Sequence, residues 1–167
     1  MRFTYCPDCG EKLIEKEIGD EGFMPYCHKC EKPHFDTFPV AVIALVYDEN
    51  NDVLLLRQSY ISTQYHNLVS GYMKVGESAE QTVVREIKEE VGLDVEELIL
   101  EGTHWFGKKQ MLMVGFFAKV KRATPVLSQE VDEAKWVKAV DAPDFVHPIG
   151  NGSVSAILTR KFLQSIR

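Results

Sequence analysis

The sequence predicts an α/β fold, a sheet covered by helices, preceded by a small N-terminal zinc ribbon. Three observations carry this expectation. Two Cys-x-x-Cys pairs, Cys6/Cys9 and Cys27/Cys30, account for all four cysteines and stand seventeen residues apart. Several short runs rich in β-branched residues alternate with turn signals, as strands do. Two segments repeat apolar residues every three or four positions, the period of a helix with one buried face.

In chain order, residues 1–37 carry the cysteine pattern and few core residues, so this part needs a staple to hold a fold. The spacing is that of a Zn²⁺ site with four thiolate ligands, two from each Cys-x-x-Cys turn. His28 lies inside the second pair and reads as a solvated turn residue. Phe38-Pro39 marks a boundary, and residues 38–167 form the second domain. Residues 40–47, Val-Ala-Val-Ile-Ala-Leu-Val-Tyr, read as a strand, 48–52 as a turn, and 53–57 as a returning strand. Ser78, with Gln81 three positions on, has the form of a capping box, and Gly92 is a helix stop. Between them Val83, Val84, Ile87 and Val91 fall on one side of a helix. Residues 95–100, 111–120 and 134–140 read as further strands. Val154, Ile157, Leu158, Phe162 and Ile166 mark an amphipathic C-terminal helix.

The chain has 167 residues and a net charge of -6. That balance argues against a general nucleic-acid binder. No apolar run is long enough to span a bilayer, and the N-terminus lacks an apolar secretion core, so the expected location is cytoplasmic.

Glu86, Glu89 and Glu90 crowd one face of the predicted 79–91 helix. Like charges one turn apart destabilise a helix, more so near its C-terminal half, where the macrodipole disfavours anions. A divalent cation with a preference for oxygen ligands, Mg²⁺ or Mn²⁺, would resolve the conflict.

The wider pattern is more specific. Gly71 is followed by five residues and Glu77, then seven residues and Arg85-Glu86-Ile87, then Lys88, Glu89-Glu90, Val91 and Gly92-Leu93. This resembles the Nudix hydrolase signature, G-x5-E-x7-R-E-U-x-E-E-x-G-U with U aliphatic, at every fixed position. The resemblance implies an α/β/α sandwich with a mixed sheet. It also implies metal-dependent hydrolysis of a nucleoside diphosphate linked to another group X. Carried onto this chain, it makes Glu86, Glu89 and Glu90 metal-ligand candidates, with the carbonyl of Ser70 a further one. Glu77 and Arg85 become positioning residues, and Gly71 lets the backbone turn beside the metal.

A four-cysteine ribbon directly before such a domain resembles the NADH pyrophosphatase branch of the family. In that branch an acid six residues before a tryptophan is an additional metal ligand. Before Trp136 the match is Glu130, with Glu133 as the fallback. Ser155, in Gly152-Ser153-Val154-Ser155, matches a stretch that approaches the nucleotide, although a helix cap explains the same residues. Where the branch carries S-Q-P-W-P-F-P, this chain reads Gly102-Thr103-His104-Trp105-Phe106-Gly107-Lys108. Trp105 and Phe106 remain as stacking candidates for a base, while the prolines and the glutamine are gone. Phe35-Asp36-Thr37 replaces the branch's Tyr-Pro-Arg. The expected ligand is therefore a small-molecule nucleotide such as NADH, ADP-ribose, a dinucleotide, a nucleotide sugar or a nucleoside triphosphate. A competing expectation is a non-catalytic module that senses a nucleotide and uses the ribbon to bind RNA or protein. The ribbon is also a candidate homodimer element.

Overall fold

In a computed structural model, residues 3–149 and 152–166 are described, and the chain divides into two compact units between Phe38 and Pro39. The first unit is a three-stranded antiparallel sheet. Strands β1 (Ile14–Glu17), β2 (Phe23–Cys27) and β3 (Lys32–Pro33) pair in that order. Their length suits a unit in which Cys6, Pro25, Cys27 and His34 are the buried residues among those described and little else is withdrawn from water.

The second unit is built on a six-stranded mixed sheet. Its strands are β4 (Val40–Tyr47), β5 (Asp52–Arg57), β6 (Val69–Tyr72), β7 (Val95–Phe106), β8 (Met111–Val120) and β9 (Glu133–Lys138). The order is β7-β8-β4-β5-β9, with β6 also paired to β4. β4 runs parallel to β8 and antiparallel to β5 and β6. Helix α1 (Ala79–Val91) covers one face, and α2 (Ala142–Phe145) and α3 (Val154–Ser165) the other. The α/β/α sandwich implied by the sequence is the observed fold.

Burial on both faces explains why 40–47 is a continuous apolar run and not an alternating one. Val42, Ala44 and Val46 of β4, with Leu54 and Leu56 of β5, pack on Val83, Ile87 and Val91 of α1. Their neighbours Ile43, Leu45, Val53 and Leu55 face Val154, Leu158 and Phe162 of α3. Val84, expected on the apolar side of α1, is exposed instead. It sits about 100° around the helix from Val83, beyond the edge of the stripe that the sheet covers.

β5 and β6 lie on the same side of β4, one after the other. β5 pairs with β4 only at Val46↔Leu54 and Tyr47↔Val53, and β6 takes over from Ala41 to Ala44. The rest of β5 diverges toward β9. This fork leaves the loop after β5 and Ser70, Gly71 and Tyr72 of β6 beside one cleft, where the candidate site lies. No helix among the described residues is long and apolar enough to cross a membrane.

The β4–β5 turn is fixed by Asp48, which is 0% exposed. Its Oδ1 accepts the backbone N–H groups of Asn50 and Asp52 at 2.8 and 2.9 Å, and Arg122 Nη1 donates to Oδ2 at 2.6 Å. Asp48→Ala removes the acceptor of two backbone amides and one of the two carboxylates that Arg122 Nη1 reaches, the other being Asp52. It is expected to cost about 3 kcal/mol, read as a lower urea midpoint with an unchanged slope.

Candidate active site

α1 is held in place at both ends. The Ser78 side chain accepts from Gln81 N–H and the Gln81 side chain accepts from Ser78 N–H, so the capping box is complete. At the far end Gly92 adopts φ 71°, and its N–H donates to the Lys88 carbonyl. A Cβ there would also meet Val126 at 2.9 Å, so conformation and space both require glycine. With Val83, Ile87 and Val91 on the sheet, the opposite side of the helix carries Arg85, Glu86 and Glu89 to the cleft. Glu90 lies between these two sides and is buried.

Gly71 is in β6, not in a turn as expected. Its requirement is close approach: a Cβ would stand 2.0 Å from Cδ and from Oε1 of Glu86. The Glu86 carboxylate therefore lies flat against the backbone of β6, beside Ser70. Alanine at this position has to expel Glu86 from the place it now occupies.

Arg85 is the counter-charge for most of the cluster. It grips Glu77 through Nε and Nη2 at 2.7 and 2.9 Å, a bidentate pair. Its Nη1 reaches Glu86 at 2.6 Å and Glu89 at 3.0 Å, and its Nη2 reaches the Tyr72 carbonyl at 3.2 Å. Glu77 also accepts from Thr82 Oγ1 at 2.9 Å and from Lys74 N–H at 3.1 Å. These partners, Arg85 first, pull the Glu77 carboxyl down to about 2. Glu77 thus ties the loop before α1 to the helix by way of Arg85. Glu86 shows the opposite balance: burial pushes its carboxyl up, against the pull of Arg85.

Glu90 has no counter-charge, only the weaker pull of the Gln58 amide and the Ser70 backbone. It is 5% exposed, and among the described residues no ion pair reaches it. Gln58 Nε2 donates to its Oε1 at 3.1 Å, while its Oε2 is buried without a partner. Burial, helped by the negative charges of Glu86 and Glu130, pushes this carboxyl up to about 8. A buried carboxylate oxygen without a donor is costly, and a hard cation is the partner that would satisfy it.

The cleft has a volume of about 1130 Å³ and is lined by Ser70, Gly71, Arg85, Glu86, Glu89 and Glu90 on one wall. Glu130 joins them from the loop before β9. That loop is tied down on both sides. Ser128 N–H donates to the Glu90 carbonyl at 3.1 Å, Asp132 N–H to the Arg57 carbonyl at 2.9 Å, and Ser59 N–H to Asp132 Oδ2 at 2.6 Å. Glu133, the fallback, instead faces Arg57 at 3.3 Å and does not line the cleft. The lining also includes Phe106, Lys108, Lys109, His147 and Ser155.

Trp105 does not line the cleft. Neighbouring strand residues point to opposite faces, so Phe106 enters the cleft while Trp105 lies outside it, 55% exposed. Both sit at the end of β7, in a hairpin with β8 that pairs Phe106 with Met111. His104 is held within the fold: its Nε2 is 2.8 Å from Glu101 Oε2, and Lys161 pairs with the same carboxylate. Ser153 is the cap of α3, accepting from Ala156 N–H at 3.2 Å, and it lines the cleft together with Ser155 two positions on. Gln58 and Tyr60 escape a reading of the sequence. Gln58 follows an apolar strand with no motif around it, and its tie to Glu90 spans thirty-two positions.

In the first unit the four cysteine sulfurs lie within 4.8 Å of one another. The Cys6–Cys30 separation is 3.9 Å and the Cys9–Cys27 separation 3.5 Å. A tetrahedron with Zn–S bonds of about 2.3 Å has edges of about 3.8 Å, so the spacing fits. Cys30 N–H donates to Cys27 Sγ at 3.4 Å, and His34 Nε2 stands 3.4 Å from Cys6 Sγ. The crowded sulfurs, Cys9 foremost, push the Cys30 thiol up to about 12. Among the described residues, sets of three or more metal-binding side chains this close occur only in the first unit. The glutamates of α1 share a cleft wall without closing on one another.

An α/β/α sandwich whose first long helix presents Arg85 and three glutamates to a cleft at a strand fork defines the class. The matches to known proteins name the family. A model of the NUDIX domain matches residues 37–156, and the chain belongs to that family. A protein of Vibrio atlanticus named NAD-capped RNA hydrolase NudC is 31% identical over 153 residues, 90% of this chain and 54% of that protein. Nudix hydrolase 19, chloroplastic, of Arabidopsis thaliana is 33% identical over 140 residues, 79% of this chain and 32% of that protein. Among solved structures, a NUDIX hydrolase from Nitrosomonas europaea shares the fold, with a TM-score of 0.75 at 22% identity, covering 97% of this chain and 92% of that one. The chain spans about half the length, or less, of the curated relatives it matches.

Proposed function

We propose that the protein is a divalent-metal-dependent hydrolase that cleaves the diphosphate link of a nucleoside diphosphate bonded to a second group, NADH and ADP-ribose being the leading candidates. The observation that carries this reading is Glu90, a buried carboxylate with one oxygen unsatisfied, facing a cleft that Glu86, Glu89 and Glu130 also line. An all-oxygen donor set suits Mg²⁺ or Mn²⁺. Glu86 and Glu90 would be the principal ligands, with Glu89, Glu130 and the Ser70 carbonyl completing the set. Such an ion supplies charge shielding at the phosphates and a bound water of lowered pKa. Arg85 and Glu77 position the ligands: the guanidinium fixes Glu86 and is itself fixed by Glu77. Phe106 and Ser155, which line the same cleft, would meet the nucleoside or the group X. In the reaction a water oxygen bonds to one phosphorus, the bridging P–O bond breaks, and the bridging oxygen leaves with the other phosphate. Zn²⁺ held by Cys6, Cys9, Cys27 and Cys30 would be structural.

The names of several relatives specify NAD-capped RNA, in which RNA takes the place of the group X. The net charge of -6 counts against extended contact with an RNA backbone, so a small nucleotide is the first choice. The test is a hydrolysis panel of NADH, ADP-ribose, a dinucleoside polyphosphate, a nucleotide sugar and an NAD-capped RNA, with Mg²⁺ or Mn²⁺ and identification of both products. Metal-dependent release of a nucleoside monophosphate from any of these supports the reading. Binding of nucleotides with no cleavage across the whole panel refutes it and favours a sensing module.

Gly71→Ala follows from the same geometry. With Glu86 displaced by the new methyl group, turnover should fall about a hundredfold, since ångström-scale misplacement of a catalytic group costs that much. The Tm should move by only a few degrees, because the change lies at a cleft and not in the core.

A further inference from the structure

We propose that Gln58 is the positioning residue of the acid site, holding Glu90 by one carboxylate oxygen so that the other is presented to the cation. This inference rests on the functional reading above.

Gln58 is 1% exposed and follows directly on β5. Its backbone is locked, since its carbonyl accepts from Ile61 N–H at 2.8 Å and from Ser62 N–H at 3.0 Å. The side-chain Nε2 spends both of its hydrogens, one on Glu90 Oε1 at 3.1 Å and one on the Tyr60 hydroxyl at 3.3 Å. With two acceptors in different directions the amide cannot rotate, and Oε1 of Glu90 is held in one place. The second oxygen of Glu90, Oε2, is the atom left without a partner.

The amide is expensive where it stands. Its own Oε1 is also buried and unpartnered. A half-satisfied amide in the interior costs stability, and an apolar side chain of similar size would pack there at less cost. Folding alone therefore gives no reason for glutamine at this position, whereas aiming a metal-binding carboxylate does. Residues behind metal ligands commonly act in this way, fixing which atom of a ligand faces the ion.

The test is titration of the zinc-loaded full chain with Mn²⁺, reading free Mn²⁺ by its electron paramagnetic resonance signal. Four proteins are compared: wild type, Glu90→Gln, Gln58→Leu and Gln58→Asn. Wild type should show a site that Glu90→Gln abolishes. Gln58→Leu, which lacks the amide, and Gln58→Asn, whose amide falls one methylene short, should each weaken that site about tenfold, the usual lower bound for such positioning residues. Without added Mn²⁺, their unfolding midpoints should lie no more than a few degrees below that of wild type, the cost of leaving Glu90 Oε1 without its donor, so that a tenfold loss of Mn²⁺ affinity in a folded variant reports positioning and not unfolding. Should Gln58→Leu fail to fold, Gln58→Asn decides. Folded Gln58 variants with the Mn²⁺ affinity of wild type overturn the proposal. A wild type without any Glu90-dependent Mn²⁺ site overturns the functional reading instead, and this inference with it.

Discussion

Glu90→Gln is expected to lower turnover on the order of a thousandfold or more, through loss of charge at the proposed buried ligand. The same substitution should make the protein more stable when Mg²⁺ and Mn²⁺ are absent, and this opposite sign is what makes it informative. Burial raises the Glu90 carboxyl from its ordinary 4.5 to about 8. Folding therefore increases its proton affinity. The contribution of this group to stability is full below pH 4.5 and is lost as pH rises through about 8, where the folded protein must hold an unpaired carboxylate. A tenfold change in proton affinity is worth about 1.4 kcal/mol, so the loss is a few kcal/mol. Melting curves of the zinc-loaded protein should show wild type falling several degrees further than Glu90→Gln between about pH 5 and about pH 8.5. Added Mg²⁺ should close the gap by raising wild type alone. Affinity for the ion should also weaken as pH falls below about 8, because binding must displace the proton on Glu90. An inactive variant with an unchanged pH–stability profile would place Glu90 elsewhere than in a buried ligand role.

Removal of zinc is expected to unfold the first unit while leaving the second intact. Three short strands and a handful of buried residues cannot offset the chain entropy of the first unit. Structural zinc supplies roughly 10–16 kcal/mol in sites of this kind, which is enough to hold it. Cys27 is the best single probe, being 0% exposed and hydrogen-bonded through its sulfur to Cys30 N–H. Cys27→Ser, or a strong chelator on the wild type, should abolish hydrogen-exchange protection at residues 14–27 and release one equivalent of zinc per chain. Protection in the central sheet, at residues 40–47 and 111–120, should survive. Ribbon amides that stay protected after zinc is stripped would show that this unit folds without the metal.

Much of this architecture is legible in the sequence where local chemistry and tertiary context agree. The capping box at Ser78, the stop at Gly92 and the stripe of Val83, Ile87 and Val91 are all local, and each is found as read. The long strand β4 is legible because both of its faces are buried and its residues are correspondingly apolar. β6 is not legible: it is only four residues long with Ser70 and Gly71 at its centre, and it pairs with β4 where β5 has left it. β7 runs to Phe106, beyond the apolar part, because Gly102 carries a bulge and Glu101, Thr103 and His104 interrupt the pattern at the edge of the sheet. At the site, spacing alone brings Arg85, Glu86, Glu89 and Glu90 to one helix. The pairing of Arg85 with Glu77 follows from that same motif. The roles of Gln58, Tyr60 and the Asp132 staple depend on chain crossings that no local pattern encodes.

Anomalous scattering from crystals soaked in Mn²⁺ would test the site most directly. A peak between the carboxylates of Glu86 and Glu90, beside the backbone of Ser70 and Gly71 and absent from Glu90→Gln, is the expected result. A cleft without any such peak, in crystals where zinc is visible among the four cysteines, would contradict it.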